Sequence, residues 1–310
     1  MKEFTVTGSE DGQRLNKYLK RILPVASESF LCKMIRKKNI KVNDKASEPG
    51  ARLSAGDIVK IFFSDETFEK FSADSKDIDT SAYNDAYKTF KGIKIVYEDN
   101  DMVILYKPSG ILAQRSSDRD LSLNEYLIGY LLDKNAVTSG SLKSFRPSIL
   151  NRLDRNTSGL VMCSKTLKGA DELSLLIRDR RIRKYYKTVC KGIISKGAEL
   201  TAYLKKNEKT NTVDISDKPL NGYSKIVTRI TPLKTYEDRT EAVVELITGK
   251  THQIRAHLAH IGHPVLGDTK YGDMSFNKQY DKYYQELCAY KLVFPDDCRI
   301  ETWNGLNVTI

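Results

Sequence analysis

The charge pattern divides this chain before any fold can be assigned. Residues 64–88, "SDETFEKFSADSKDIDTSAYNDAYK", are acidic, rich in Ser and Asp, and without sustained periodicity. Such a stretch reads as a linker between bodies that fold separately, with Phe68, Phe71 and Tyr83 as its contact residues. Residues 1–63 carry 13 Lys+Arg against 7 Asp+Glu, residues 64–92 carry 4 against 7, and residues 93–310 carry 34 against 26. The expected organisation is therefore a body at 1–63, an acidic linker at 64–92 and a larger body at 93–310.

The whole chain of 310 residues has a net charge of +11, which favours a polyanionic partner, most simply nucleic acid. Mean hydropathy is −0.45 and no run of eighteen apolar residues occurs, so no membrane-spanning helix is expected. Five scattered cysteines with no CxxC spacing, and a start without an apolar signal region, fit reduced thiols and a cytoplasmic location.

Within the first body, "RLNKYLKRIL" places Leu15, Leu19, Ile22 and Leu23 on one helical face. Ser27 is a candidate N-cap for a second helix whose stripe is Phe30, Leu31, Met34 and Ile35. Arg36, Lys37 and Lys38 close that helix, and "IKVN" and "DIVKIFF" read as short strands. In the second body, strand-like runs alternate with helices at 122–133 and 251–262 and with a basic helix from residue 166 that runs into a strand near Lys187–Val189, without regular βαβ spacing. That favours an α+β fold on a mixed, largely antiparallel sheet with flanking helices.

"SILNRLDRNTSGLVM", residues 148–162, sets a polar loop between two buried strands, with Asp154 between Arg152 and Arg155. A carboxylate among cations stays ionised at neutral pH, which suits a structural ion pair or a nucleophile or base. "RRIRKYYKTVCKG" interleaves cations with Tyr185 and Tyr186, an arrangement suited to stacking on an unstacked nucleobase. All four histidines fall in 252–263, but only His257 and His260 share a helical face and no HExxH pattern occurs. They read as packing and hydrogen-bonding residues in preference to metal ligands. Arg255 stands mid-helix among apolar neighbours, so its head group needs an anionic partner. On these residues alone, a non-catalytic RNA-binding or ribosome-assembly factor and a histidine-metal hydrolase stay open.

Together the motifs resemble the RluA family of pseudouridine synthases, in the RluC/RluD type that carries an N-terminal RNA-binding domain of the ribosomal-protein-four type. The signature Arg-Leu-Asp-x-x-Thr-Ser-Gly-Leu stands at 152–160, Lys107-Pro108-Ser109-Gly110 at the loop before it, and Lys184, Tyr186 and Gly192 in the strand motif. Gly249 through Gly272 holds the fourth motif. The chain departs from the family at Asn151 and Cys288, where histidine is frequent, and at Lys250, where arginine is. The resemblance implies isomerisation of uridine to pseudouridine in RNA, most simply 23S large-subunit ribosomal RNA, without cofactor or metal. It implies Asp154 as the reactive carboxylate, by attack on the sugar or removal of a sugar proton. It gives Arg255 as the partner of Asp154, Tyr186 as the residue that stacks on the flipped base and takes the C5 proton in the last step, and Arg152 and Lys107 as RNA contacts. Arg36, Lys37 and Lys38 belong to the RNA-gripping surface. RNA is the expected partner, with no DNA and no membrane, and a monomer is the expected state.

Overall fold

The computed structural model describes residues 1–72 and 78–310. Its first elements are β1 (Lys2–Thr5), α1 (Leu15–Ile22), α2 (Glu28–Arg36), β2 (Ile40–Val42) and β3 (Ile58–Ile61). Ser27 caps α2 by accepting from the Phe30 N–H. The three strands form an antiparallel sheet in the order β1-β3-β2. Leu15, Leu19, Leu31, Ile35, Val59 and Ile61 fill a core against the two helices, so the anticipated stripes are the buried ones. Strand β1 is an addition to the expected pair. Its only large apolar residue, Phe4, is half-buried, leaving no alternation to read.

The acidic stretch departs from the expected linker. It contains α3 (Asp65–Ser72) and α4 (Ser81–Thr89), while its residues 73–77 lie outside the described ones. Phe68 and Phe71 pack on the N-terminal core, and Tyr83 and Tyr87 on the core that follows. The acidic side chains face water, so composition hid two helices whose apolar faces are buried.

Then come β4 (Lys94–Glu98), β5 (Met102–Lys107), α5 (Leu123–Asp133), α6 (Ser141–Ser144), β6 (Ser148–Ile149), β7 (Ser158–Ser164), α7 (Leu167–Arg178) and β8 (Arg183–Lys191). They continue with β9 (Ala198–Asn207), β10 (Thr212–Ser216), β11 (Ser224–Thr235), β12 (Arg239–Leu246), α8 (Gln253–His260), α9 (Met274–Gln279), β13 (Leu287–Val293) and β14 (Asn307–Thr309). Eleven strands form one sheet along β10-β9-β11-β12-β8-β13-β7-β5-β4, with β14 on β13 and β6 on β7. Among the described residues the one parallel pairing is β13 with β7; it joins two antiparallel halves, as expected of a mixed sheet. That junction requires glycine. Gly159 has φ +118° and a Cβ there would lie 2.3 Å from the Ala289 carbonyl oxygen.

Helix α5 is buried along Glu125–Leu131 rather than on one face, because α4 covers the side that would meet water. Gly129 makes this possible: a Cβ would stand 2.2 Å from the Tyr83 carbonyl oxygen. One face of the sheet packs Val103, Leu105, Val161, Tyr186 and Val244 with Leu127 of α5 and Ile254 and Leu258 of α8. The other packs Ile104, Leu160 and Met162 with Leu173 and Leu176 of α7 and with Trp303. The site described next lies on the first face.

Candidate active site

Asp154 sits in the loop from β6 to β7, and that loop is tied down at several points. Its own strand ladder ends at Leu150, whose N–H donates to the Met162 carbonyl. Asn151 continues the pairing with its side chain, accepting from the Met162 N–H at 2.7 Å and donating to the Leu160 carbonyl at 3.4 Å. Beyond the aspartate, the Arg155 carbonyl accepts from the Gly110 N–H, and the Asn156 carbonyl from the Ser109 hydroxyl. Gln285 donates to the Thr157 hydroxyl. The carboxylate is thus carried by a loop with few free backbone directions.

Neither neighbouring arginine pairs with it. Arg155 donates to the Gly110 carbonyl, and Arg152 is exposed with no side-chain partner among the described residues. The cation on Asp154 comes instead from α8: Arg255 Nη1 donates to Asp154 Oδ2 at 2.6 Å. Arg255 also grips Asp268, through Nε at 2.6 Å and Nη2 at 2.9 Å, and that carboxylate is fully buried. Burial opposes the charge on both groups. Their mutual bonds outweigh it, holding the guanidinium charged and the Asp268 carboxyl below the usual carboxylate range. The Lys270 and Tyr271 N–H groups donate to the same Asp268 oxygen. A mid-helix arginine therefore has two anions. One anchors it, and the other, with its side chain 27% exposed, is presented to solvent.

The loop before α8 completes this side. Gln253 bonds Thr248, the Lys250 N–H, the Val227 carbonyl and Thr228, which fixes the turn against β11. His252 then enters the helix at φ +53°, with its Nε2 3.9 Å from Asp154 Oδ1 and its Nδ1 2.9 Å from the Tyr271 hydroxyl. Tyr271 accepts from the Val213 N–H of β10 and lies under the Arg255 guanidinium at 5.3 Å. Burial lowers the pKa of His252, so its ring is neutral near pH 7. The remaining histidines go to separate partners: His257 to Thr228, His260 to Asp217, and His263 to the Lys191 carbonyl.

Tyr186 reaches the site from β8, between Val244 of β12 and Ala289 of β13. It is buried, its hydroxyl makes no hydrogen bond among the described residues, and its oxygen is not sealed from solvent. Burial first, and then the charge of Asp154, push its pKa far above the usual tyrosine value. The phenol stays protonated at any ordinary pH.

Lys107 differs from its expected role. It is 0% exposed, and its ammonium donates at 2.9 Å to the carbonyls of Pro108, Ile111 and Arg155. All three donors are used, so none is left for a phosphate. Burial pulls its pKa down to about 8, which leaves it charged at neutral pH and dependent on those carbonyls. Lys107 fastens the 108–111 turn to the Asp154 loop. Lys107→Met is expected to strand buried carbonyls at about 1–3 kcal/mol each. Urea unfolding should register a loss of at least about 2 kcal/mol, and an unchanged midpoint would remove the residue from this role.

The expected residues thus separate. Asp154, Arg255 and Tyr186 converge; Arg152 lies exposed near them; Arg36, Lys37 and Lys38 are exposed on the N-terminal body with no side-chain partner among the described residues. Asp268, His252 and Tyr271 were not foreseen. The demand of a buried arginine for anions was a signal for Asp268, but it could not say which of many carboxylates would answer.

Residues 101–260 match the RNA pseudouridylate synthase family model, and the chain belongs to that family as a pseudouridine synthase of the RluA type. Among similar proteins, ribosomal large subunit pseudouridine synthase C of Rickettsia conorii is 30% identical, covering 93% of this chain and 92% of its own. Ribosomal large subunit pseudouridine synthase D of Haemophilus influenzae is 28% identical, over 84% of this chain and 74% of its own. The fold is similar to that of human RNA pseudouridylate synthase domain containing 4, with TM-score 0.57 at 19% identity, covering 74% of this chain and 91% of that one.

Proposed function

We propose that this enzyme isomerises uridines of large-subunit ribosomal RNA, with Asp154 as the reactive carboxylate. In the reaction the N1–C1′ bond breaks, the uracil turns in its pocket, C5 bonds to C1′, the C5 proton leaves and N1 takes up a proton. The observation that carries the reading is the Asp154–Arg255 pair at 2.6 Å. Arg255 fixes one carboxylate oxygen and leaves the other, 3.9 Å from His252 Nε2, without a hydrogen bond among the described residues. Arg255 acts by orienting Asp154. Tyr186 offers a ring face to the extruded base and a protonated hydroxyl at its edge.

RNA is gripped around this centre by Arg152 and, on residues 1–63, by Arg36, Lys37 and Lys38. Two helices against a small sheet with unpaired basic side chains fit an RNA-binding domain of the ribosomal-protein-four type. Residues 64–92 connect it to a catalytic domain at 93–310. The protein works as a cytoplasmic monomer, on RNA rather than DNA. The names of its relatives support ribosomal RNA as substrate over transfer RNA.

Tritium release from [5-³H]uridine-labelled RNA tests this. Release from large-subunit ribosomal RNA, with little from transfer RNA, is the expected result. Release from transfer RNA alone would overturn the substrate, and release from neither would overturn the reading.

A further inference from the structure

Three cations meet where the end of α7, the start of β8 and the loop after β12 come together, and no carboxylate answers them. Arg180, Lys184 and Lys250 line a cavity of about 160 Å³ whose other walls are apolar or backbone, among them Ile177, Ile182 and Gly249. No aspartate or glutamate lines it, and none of the three side chains has a hydrogen bond or ion pair among the described residues. The neighbours show that pairing is available nearby: Arg178 holds Asp179, and Arg181 holds Asp297. Arg180, between them, is left out. Burial, and then the proximity of Arg180, lowers the pKa of Lys184, as expected where like charges gather without a counter-ion.

The backbone adds a second observation. Arg180 follows α7 at φ +55°, with its N–H on the Ile177 carbonyl and the Arg181 N–H on the Leu176 carbonyl. This is the helix-ending position that glycine fills at no steric cost. An arginine kept in that conformation is strained, and its side chain lines the cavity. A water's share of liquid volume is ~30 Å³, so the cavity holds a phosphate group with water to spare.

We propose that Arg180, Lys184 and Lys250 form a phosphate pocket that binds a phosphodiester of the RNA substrate near the uridine being isomerised. Lys184 stands two residues before Tyr186 in β8, and Lys250 two residues before His252. The pocket therefore adjoins the strand and loop that build the active site, and it sets the register of the strand entering it. The assignment of RNA as the ligand rests on the function proposed above.

The test uses the full chain with Arg180→Gly, Lys250→Gln and Lys250→Arg. Filter binding gives the Kd for large-subunit ribosomal RNA over a range of KCl concentrations, thermal unfolding gives Tm with and without inorganic phosphate, and tritium release gives KM and kcat. Arg180→Gly is expected to raise Kd about three- to tenfold and to reduce the slope of log Kd against log salt by about 0.7–0.9. Its Tm should be equal or higher, because glycine relieves the backbone, and a folding defect cannot give that combination. Lys250→Gln should weaken binding similarly and raise KM, while Lys250→Arg, which keeps the charge, should restore it. Unchanged Kd and salt slope in Arg180→Gly and Lys250→Gln would overturn the pocket. If Arg180→Gly abolishes stabilisation by inorganic phosphate but leaves RNA binding intact, a free anion is the ligand and the RNA assignment falls. Weakened binding with no tritium release from wild type would uphold the pocket while the proposed function fails.

Discussion

Asp154→Asn is expected to bind ribosomal RNA like the wild type and to release tritium at least about 10³-fold more slowly. General acid–base work by one positioned side chain contributes about 10²–10⁴-fold. An asparagine amide can neither attack a sugar carbon nor remove a sugar proton. The geometry, by contrast, survives. The amide oxygen can still accept from Arg255 Nη1, and Arg255 keeps both bonds to Asp268. The Asp154 side chain is partly exposed, so loss of its charge leaves no empty cavity. Asp154→Ala should lose activity to the same extent. Filter binding, Tm and tritium release on the same preparations separate the possibilities. A variant that keeps a tenth of wild-type release removes Asp154 from the chemistry. One that loses RNA binding and Tm along with release makes its role structural.

Much of this site was legible because its chemistry is local in sequence. Apolar residues around a polar Asp-containing loop announced the β6–β7 turn, and a buried position for Arg255 announced a carboxylate partner. What remained hidden was either long-range or set by direction. The side chains at 152 and 155 flank Asp154 in the chain, yet one points to solvent and the other to Gly110, while the effective cation arrives from 101 residues away. Lys107 has the composition of a phosphate contact, but β5 ends with that side chain pointing inward, where three carbonyls take its donors. Helix α4 was concealed by the acidic, serine-containing stretch in which it lies. Its evidence lay in the spacing of Tyr83, Ala86 and Tyr87, and the glycine in α5 marks the surface they pack against. Charge counting marked off two basic segments and missed the helices between them.

Asp268 carries the second large effect, although it faces no substrate. Asp268→Ala is expected to cost about 3–5 kcal/mol, the usual price of leaving a buried charge without its partner. In a domain of this size that corresponds to a fall in Tm of roughly 6–20 °C. The loss follows from the bonding: Arg255 would keep one bond, to a partly exposed carboxylate, and the Lys270 and Tyr271 N–H groups would lose their acceptor. Activity should fall as well, since an arginine free to swing no longer fixes Asp154. Stability and orientation can be separated by removing both charges. Arg255→Met with Asp268→Leu should recover much of the lost Tm, because no buried ion is left unpaired. It should not recover tritium release, because nothing then holds the Asp154 carboxylate. A Tm within about 2 °C of wild type in Asp268→Ala would show that Asp268 is not what keeps Arg255 in place. Recovery of both Tm and release in the double variant would mean that Asp154 needs no fixed cation. In the arrangement seen here the order of dependence is clear: the fold buries Asp268, Asp268 fixes Arg255, and Arg255 fixes the Asp154 carboxylate proposed to react.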